Sequence, residues 1–89
     1  MGQTLDQGVL QDEVARSLAR AVAVANERAR REGVDLHTSL INVAEHFAAG
    51  ETFWRIDYAP RDYLQRRGGD LVIDVGADDG AVRRVLRGQ

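Results

Sequence analysis

The stretch that decides the fold is TFWRIDY, residues 52–58, because bulky apolar and polar side chains alternate along it. Three large apolar side chains fall on one face of an extended chain: Trp54, Ile56 and Tyr58. The intervening side chains fall on the other face: Phe53, Arg55 and Asp57. Aromatic and β-branched residues favour strands, and alternation is the strand period. A strand is therefore predicted over 52–58, and Pro60 ends it.

A long amphipathic helix is predicted before this strand, from Leu10 to Glu32. Its apolar side chains recur at spacings of three and four and form one stripe: Val14, Leu18, Ala21, Val22, Ala25 and Ala29. Acidic residues gather near its start and arginines near its end, which suits the helix dipole. Gly33 supplies the C-terminal stop.

Residues 34–49 fit two predictions. Leu36, Leu40, Val43 and Phe47 have helical spacing, whereas the alternation from Ile41 to Phe47 suits a strand. The short turn that follows, with Gly50 free to adopt a left-handed conformation, leads directly into the strand at 52–58. This hairpin pattern favours the strand.

The second half of the chain predicts more sheet. Residues 70–75 alternate, with Leu71, Ile73 and Val75 on one face, and residues 77–80 form a turn signal. The tail, 81–87, suits either a last strand or a short helix. The predicted fold class is α+β: one long N-terminal helix packed on a curved antiparallel sheet of three to four strands.

Length and composition exclude several classes of protein. The 89 residues fit a single domain, with 1–9 as a flexible arm and 10–89 as the folded unit. The absence of cysteine excludes a disulfide scaffold and a thiolate metal site. Twelve basic residues against fourteen acidic ones give a net charge of −2, which provides no basic surplus for nucleic acid.

The expected location is the cytoplasm. Residues 1–11 contain no basic residue of the kind that begins a signal peptide, and no apolar run approaches the roughly 18 residues of a membrane span. We therefore expect no membrane partner, no nucleic-acid partner and no cofactor.

The segment LVIDVGADDG, residues 71–80, resembles the first motif of the class I methyltransferases. In that family an acidic strand end and a glycine-rich turn approach S-adenosylmethionine, and Asp74, Gly76 and Gly80 stand at matching places. Asp78 departs from the pattern, since it replaces the family's central glycine. Only nine residues follow Gly80, whereas a nucleotide-binding sheet needs several βαβ units. A methyltransferase-like fragment is thus an alternative to a plain hairpin.

A second resemblance fits the length better. The strand around Trp54, the Gly68-Gly69 pair, the apolar strand ending at Asp74 and the closing segment 80–85 resemble small PepSY-like domains and NTF2-fold immunity proteins in a reduced, cystatin-like form. This resemblance implies a helix followed by antiparallel strands. It also implies a non-catalytic protein that inhibits or chaperones a peptidase, or blocks a toxin, by binding it.

The sequence gives little indication of catalysis or metal binding. His37 and His46 lie nine apart, not at the i, i+4 spacing of a zinc helix. Six aspartates could include a catalytic pair, but they suit turns and solvated faces: Asp57, Asp62, Asp70, Asp74, Asp78 and Asp79. We expect no enzyme activity and no metal site.

An interaction surface is the better expectation, since Tyr, Trp and Arg dominate binding hot spots. The candidate partner-binding residues lie on the strand at 52–58 and on the loop 60–69: Trp54, Tyr58, Arg61, Tyr63, Arg66 and Arg67. The competing interpretation places Trp54 in the core beneath the helix.

Self-association is a further expectation. A sheet with one face on a helix leaves its second face open or paired, and here that face carries Phe53 and Val72. Small chains often bury such a face between two copies. A homodimer is favoured over a monomer, and a purely structural homodimerising domain is another alternative function.

Overall fold

The chain forms a helix and a four-stranded antiparallel sheet, as described by a computed structural model for Gly8, residues 11–61 and residues 70–88. The elements in chain order are α1 (Glu13–Arg31), a 3-10 turn (Leu36–Thr38), β1 (Ser39–Ala48), β2 (Glu51–Pro60), β3 (Leu71–Gly76) and β4 (Val82–Arg87). The strands lie side by side in chain order, and the sheet is open. The predicted α+β class is confirmed. The arm predicted at 1–9 lies outside the described residues, apart from Gly8.

Helix α1 is capped at both ends by residues suited to that role, Asp12 before its start and Gly33 after its end. The Asp12 side chain accepts a hydrogen bond from the Ala15 backbone N–H at 2.8 Å, which satisfies one of the free donors of the first turn. At the other end Gly33 has φ 89°, and the N–H of Val34 bonds back to the Ala29 carbonyl at 3.0 Å. The helix is therefore slightly shorter than the predicted span of 10–32.

The ambiguous segment 34–49 is mainly strand. Asp35 caps the 3-10 turn by accepting a hydrogen bond from the His37 N–H at 3.0 Å, and β1 then pairs with β2 from Ser39–Pro60 to Ala48–Glu51. Ala49 and Gly50 both have positive φ, 54° and 74°, which is the geometry of a two-residue hairpin turn. The strand prediction is confirmed because this turn aligns β1 with β2 along its whole length.

The tail 81–87 is a strand rather than a helix. The N–H of Gly76 bonds to the Ala81 carbonyl at 2.9 Å and the N–H of Gly80 to the Gly76 carbonyl at 3.0 Å, which folds β4 back on β3. A register shift between Asp74 and Val75 inserts one extra residue, Arg83, into β4.

The core lies between α1 and the middle of the sheet. It consists of three alanines of α1 and the bulky face of β2 and β3: Ala21, Ala25, Ala29, Trp54, Ile56, Tyr58, Leu71, Ile73 and Val75. The alanines have no exposed surface. Their small side chains let the helix lie close to the sheet, over β2 and β3.

Two aromatic side chains of β2 are hydrogen-bonded to the helix as well as buried beneath it. The Trp54 indole N–H donates to the Ser17 hydroxyl at 2.9 Å, and the Tyr58 hydroxyl donates to Asn26 Oδ1 at 2.7 Å. Burial raises the pKa of Tyr58 to about 12, so its hydroxyl remains a donor through the physiological range. These two bonds fix the position of α1 along β2.

A pair of matched truncations tests whether the core lies on β2 and β3 and leaves β1 outside it. Ile73→Ala removes buried surface and is expected to lower the free energy of unfolding by about 2 to 5 kcal/mol. Ile41→Ala makes the same change on β1, where the side chain is 40% exposed, and is expected to cost below about 1 kcal/mol. Urea denaturation at low protein concentration measures both. Equal losses would contradict the assignment of the core to β2 and β3.

Candidate functional site

The helix-side face of β1 carries exposed apolar side chains. Ile41 is paired with Tyr58 and Val43 with Ile56, and directly paired residues share a face of the sheet. Ile41 and Val43 are nevertheless 40% and 38% exposed, and Phe47 on the same face is 73% exposed. We call Ile41, Val43 and Phe47 the β1 strip. It is exposed because α1 packs mainly on β2 and β3.

A groove continues the β1 strip toward the start of the helix. It has a volume of about 720 Å³, with Thr52 and Trp54 in its floor and Val14 and Ser17 along its helical wall. Glu45 lines it as well, and Glu45 stands between Val43 and Phe47 on the helix-side face of β1. The groove and the β1 strip therefore form one continuous surface.

The backbone edge of β1 is also open. β1 pairs only with β2, so among the described residues no strand lies against its outer N–H and C=O groups. It is ten residues long and contains no lysine, arginine or proline, and Glu45 is its single acidic residue, so few of the features that usually protect an edge are present.

The opposite edge, β4, is protected. It has six residues, of which three are arginines, and it carries the extra residue at Arg83. Charged side chains and bulges both hinder the addition of another strand. The two edges of the sheet therefore differ in their capacity to pair with a further chain.

The face of the sheet away from α1 carries an ion network. The side chain of Arg55 donates two hydrogen bonds to Asp74, from Nε at 2.8 Å and from Nη2 at 3.0 Å. Arg84 Nε lies 3.4 Å from the second Asp74 oxygen. Asp74 is only 4% exposed, so these contacts compensate for burial of its charge. This arrangement joins β2, β3 and β4, which is a structural role.

An aromatic stack lies beside the network. The rings of His46 and Phe53 are stacked with centroids 5.5 Å apart, and the Arg55 guanidinium lies 5.5 Å from the Phe53 centroid. His46 is thereby engaged with β2. The described residues contain no group of three His, Asp or Glu side chains placed to hold a metal ion.

Asp57 is the least satisfied polar group of this face. Its Oδ1 atom is buried without a hydrogen-bond partner. Burial raises the pKa of the Asp57 carboxyl, and the neighbouring carboxylate of Asp70 raises it further. The charged form of Asp57 is consequently disfavoured in the folded protein.

The segment that resembles a methyltransferase motif forms a hairpin between β3 and β4. Asp74 is engaged by two arginines, and a Cβ added at Gly76 would lie 2.5 Å from the Asp79 side chain and 2.6 Å from that of Arg83. No helix follows the turn in the described chain, since 82–87 is strand. The strand–turn–helix geometry in which such a motif approaches a nucleotide is therefore not formed here.

The three candidate partner-binding residues that the structure describes, Trp54, Tyr58 and Arg61, do not share one exposed surface. Trp54 and Tyr58 were predicted as contact residues, but both lie buried beneath α1 with their polar atoms bonded to it. That part of the prediction is corrected, and the alternative placement of Trp54 in the core holds. Arg61 is exposed just after β2. Tyr63, Arg66 and Arg67 lie outside the described residues.

The β1 strip was not predicted as a site. Its residues were recognised as one face of a strand, which gave the correct alternation. Their exposure depends on the lateral position of the helix, and no local pattern in the sequence reports that position.

Comparisons with protein families, with curated proteins and with solved structures find no match to this chain. No helix among the described residues has the length and apolar character needed to cross a membrane. The site is therefore interpreted from its own geometry.

Removing one charge tests the ion network. Asp74→Asn is expected to lower the free energy of unfolding by about 1 to 3 kcal/mol, because Arg55 and Arg84 lose their shared anion. Asp78→Asn is the matched control, since Asp78 is exposed in the turn after β3 and is expected to be neutral. Urea denaturation measures both. An equal effect of the two changes would contradict the role assigned to Asp74.

A pH series tests the environment of Asp57. A carboxyl whose pKa is raised in the folded state stabilises the fold at low pH, where it is protonated. This stabilisation is lost as the pH rises from 3.8, the ordinary pKa of an aspartate, through the raised pKa of Asp57 in the folded protein. Asp57→Asn, which cannot ionise, is therefore expected to be more stable than the parent at pH 7. Its advantage is expected to shrink on acidification below pH 4. An Asn variant that is less stable at pH 7 would contradict this account.

Proposed function

We propose that the protein is a small non-catalytic module that binds another protein chain through β1, using the β1 strip and the open backbone edge. The observation that carries this proposal is the combination of exposed apolar side chains and an unprotected edge on the same strand. An added strand gains main-chain hydrogen bonds, and apolar side chains beside it add specificity.

The distribution of charge supports a protein rather than a polyanion as the bound molecule. The net charge is −2, and β1 carries one acidic residue, Glu45, and no arginine. The arginines of the sheet described above are engaged with carboxylates, as in the pairs Arg55–Asp74 and Arg83–Asp79. The β1 strip is apolar, whereas the groove beside α1 is lined by charged side chains of both signs: Glu13, Arg16, Arg20, Glu45 and Asp78.

The resemblance to PepSY-like and immunity-type proteins extends this proposal to what binding achieves. A chain that pairs with β1 is held in an extended form, and the groove beside the helix is large enough to receive side chains. Under this proposal binding blocks the partner, as expected of an inhibitor or an immunity-type protein.

Site-specific photocrosslinking in the source cell tests the proposed function. A benzophenone amino acid replaces Phe47, the most exposed residue of the β1 strip, and in a control it replaces Leu86, which is 44% exposed on β4. The expected result is a discrete adduct to a protein chain from position 47, identified by mass spectrometry, and none from position 86. A second copy of this chain counts as such a partner.

The absence of an adduct at position 47 would contradict the proposed function. Equal and diffuse labelling from both positions would contradict it as well, because that outcome indicates general stickiness instead of a site on β1.

A further inference from the structure

We infer that the chain bound by β1 is a second copy of this protein, aligned antiparallel so that two four-stranded sheets form one continuous sheet. The inference rests on the proposed function and names its partner. The first supporting observation is the contrast between the edges, since β4 has three arginines and an inserted residue whereas β1 has neither. Pairing through β1 is therefore closed after two copies and does not propagate into a fibre.

The sequence of β1 is complementary to itself in one register. When Ala44 lies opposite Ala44 of the second copy, residues 40–48 of both strands are paired. Ile41 then faces Phe47, which joins two exposed apolar side chains, and Asn42 faces His46, which joins two polar ones. Val43 faces Glu45, which is the one mixed pair of this register. Directly opposite pairs of like character are the stabilising unit of an antiparallel sheet.

Neighbouring registers are less favourable. A shift that centres the pair on Val43 sets Ile41 against Glu45 and Ser39 against Phe47, so it has more mixed pairs than the register centred on Ala44 and leaves Phe47 without an apolar partner. A shift that centres it on Glu45 sets two carboxylates against each other. A shift to Asn42 shortens the paired segment and leaves Phe47 outside it, although Phe47 is the most exposed apolar side chain of the strand.

The geometry of the fold permits this pairing. A two-fold axis perpendicular to the sheet keeps both helices on the same side, and each α1 lies over β2 and β3, away from the shared edge. A nine-residue antiparallel ladder provides about nine main-chain hydrogen bonds, which is close to the number in a typical protein interface. The two β1 strips then form one floor between the helices, which is apolar apart from the Glu45 side chain of each copy.

Mass measurement by light scattering over a wide concentration range is the first test. The expected mass is twice the 9.8 kDa of the chain at high concentration. Val43→Glu places a carboxylate opposite Glu45 of the second copy, and the dissociation constant is expected to rise about tenfold or more. Leu86→Glu makes the same kind of change on β4 and is expected to leave the dimer unchanged.

Charge reversal tests the register. Adding Glu45→Arg to Val43→Glu replaces the repulsive pair by two salt bridges across the two-fold axis, so dimer formation is expected to recover. A dimer that tolerates Val43→Glu, that is lost equally with Leu86→Glu, or that is not rescued by the double change would overturn the inference.

Cysteine crosslinking tests the same register without adding charge. The parent has no cysteine, so Ala44→Cys introduces a single thiol that meets its own copy within disulfide range at the axis. Ala48→Cys is the control, because its two copies lie roughly 26 Å apart in this register. Crosslinking at 44 but not at 48 is expected under mild oxidation, and the reverse would overturn the inference.

A chain that remains a monomer at all concentrations would also overturn the inference. The photocrosslink from position 47 would then separate the two proposals, since an adduct to a different protein would leave the proposed function standing.

Discussion

The packing of three alanines of α1 on the bulky face of β2 and β3 is the contact on which the rest of the structure depends. Ala21, Ala25 and Ala29 have no exposed surface, and their small side chains hold the helix close to the sheet. A helix is about 10 to 12 Å wide with its side chains, whereas the axes of four strands span about 14 Å. One helix centred on the inner strands therefore leaves much of the outer strands uncovered, although Val85 of β4 still packs against the core.

The two uncovered strands differ in chemistry, and this difference carries the functional interpretation. β4 has arginines, of which Arg84 contacts the buried Asp74 and Arg83 contacts Glu51 and Asp79. β1 carries apolar side chains on the helix side, its only acidic or arginine side chain is Glu45, and among the described residues its outer backbone edge pairs with no strand. The exposed apolar side chains of β1 are the surface that the proposed binding of a further chain would bury.

The sequence predicted the elements better than it predicted the surface. Alternation and helical spacing depend on neighbours along the chain, so α1 and the strand faces could be derived from local patterns. Tyr58 was expected at a surface, but it is buried beneath the helix and its hydroxyl donates to Asn26, and that juxtaposition depends on how α1 is placed along β2. The exposure of Ile41 and Val43 has the same origin, since their pattern matches that of a core-facing strand. The sequence therefore did not predict which residues of the helix and the sheet come into contact.

Amide hydrogen exchange of β1 and β4 at two protein concentrations, about a hundredfold apart, tests the central claim most directly. If β1 is the uncovered strand that binds a second chain, its outward amides exchange rapidly in dilute protein and become protected in concentrated protein. The outward amides of β4 exchange at the same rate in both samples. Protection of β1 that does not depend on concentration, or protection that grows equally on β4, would contradict the account.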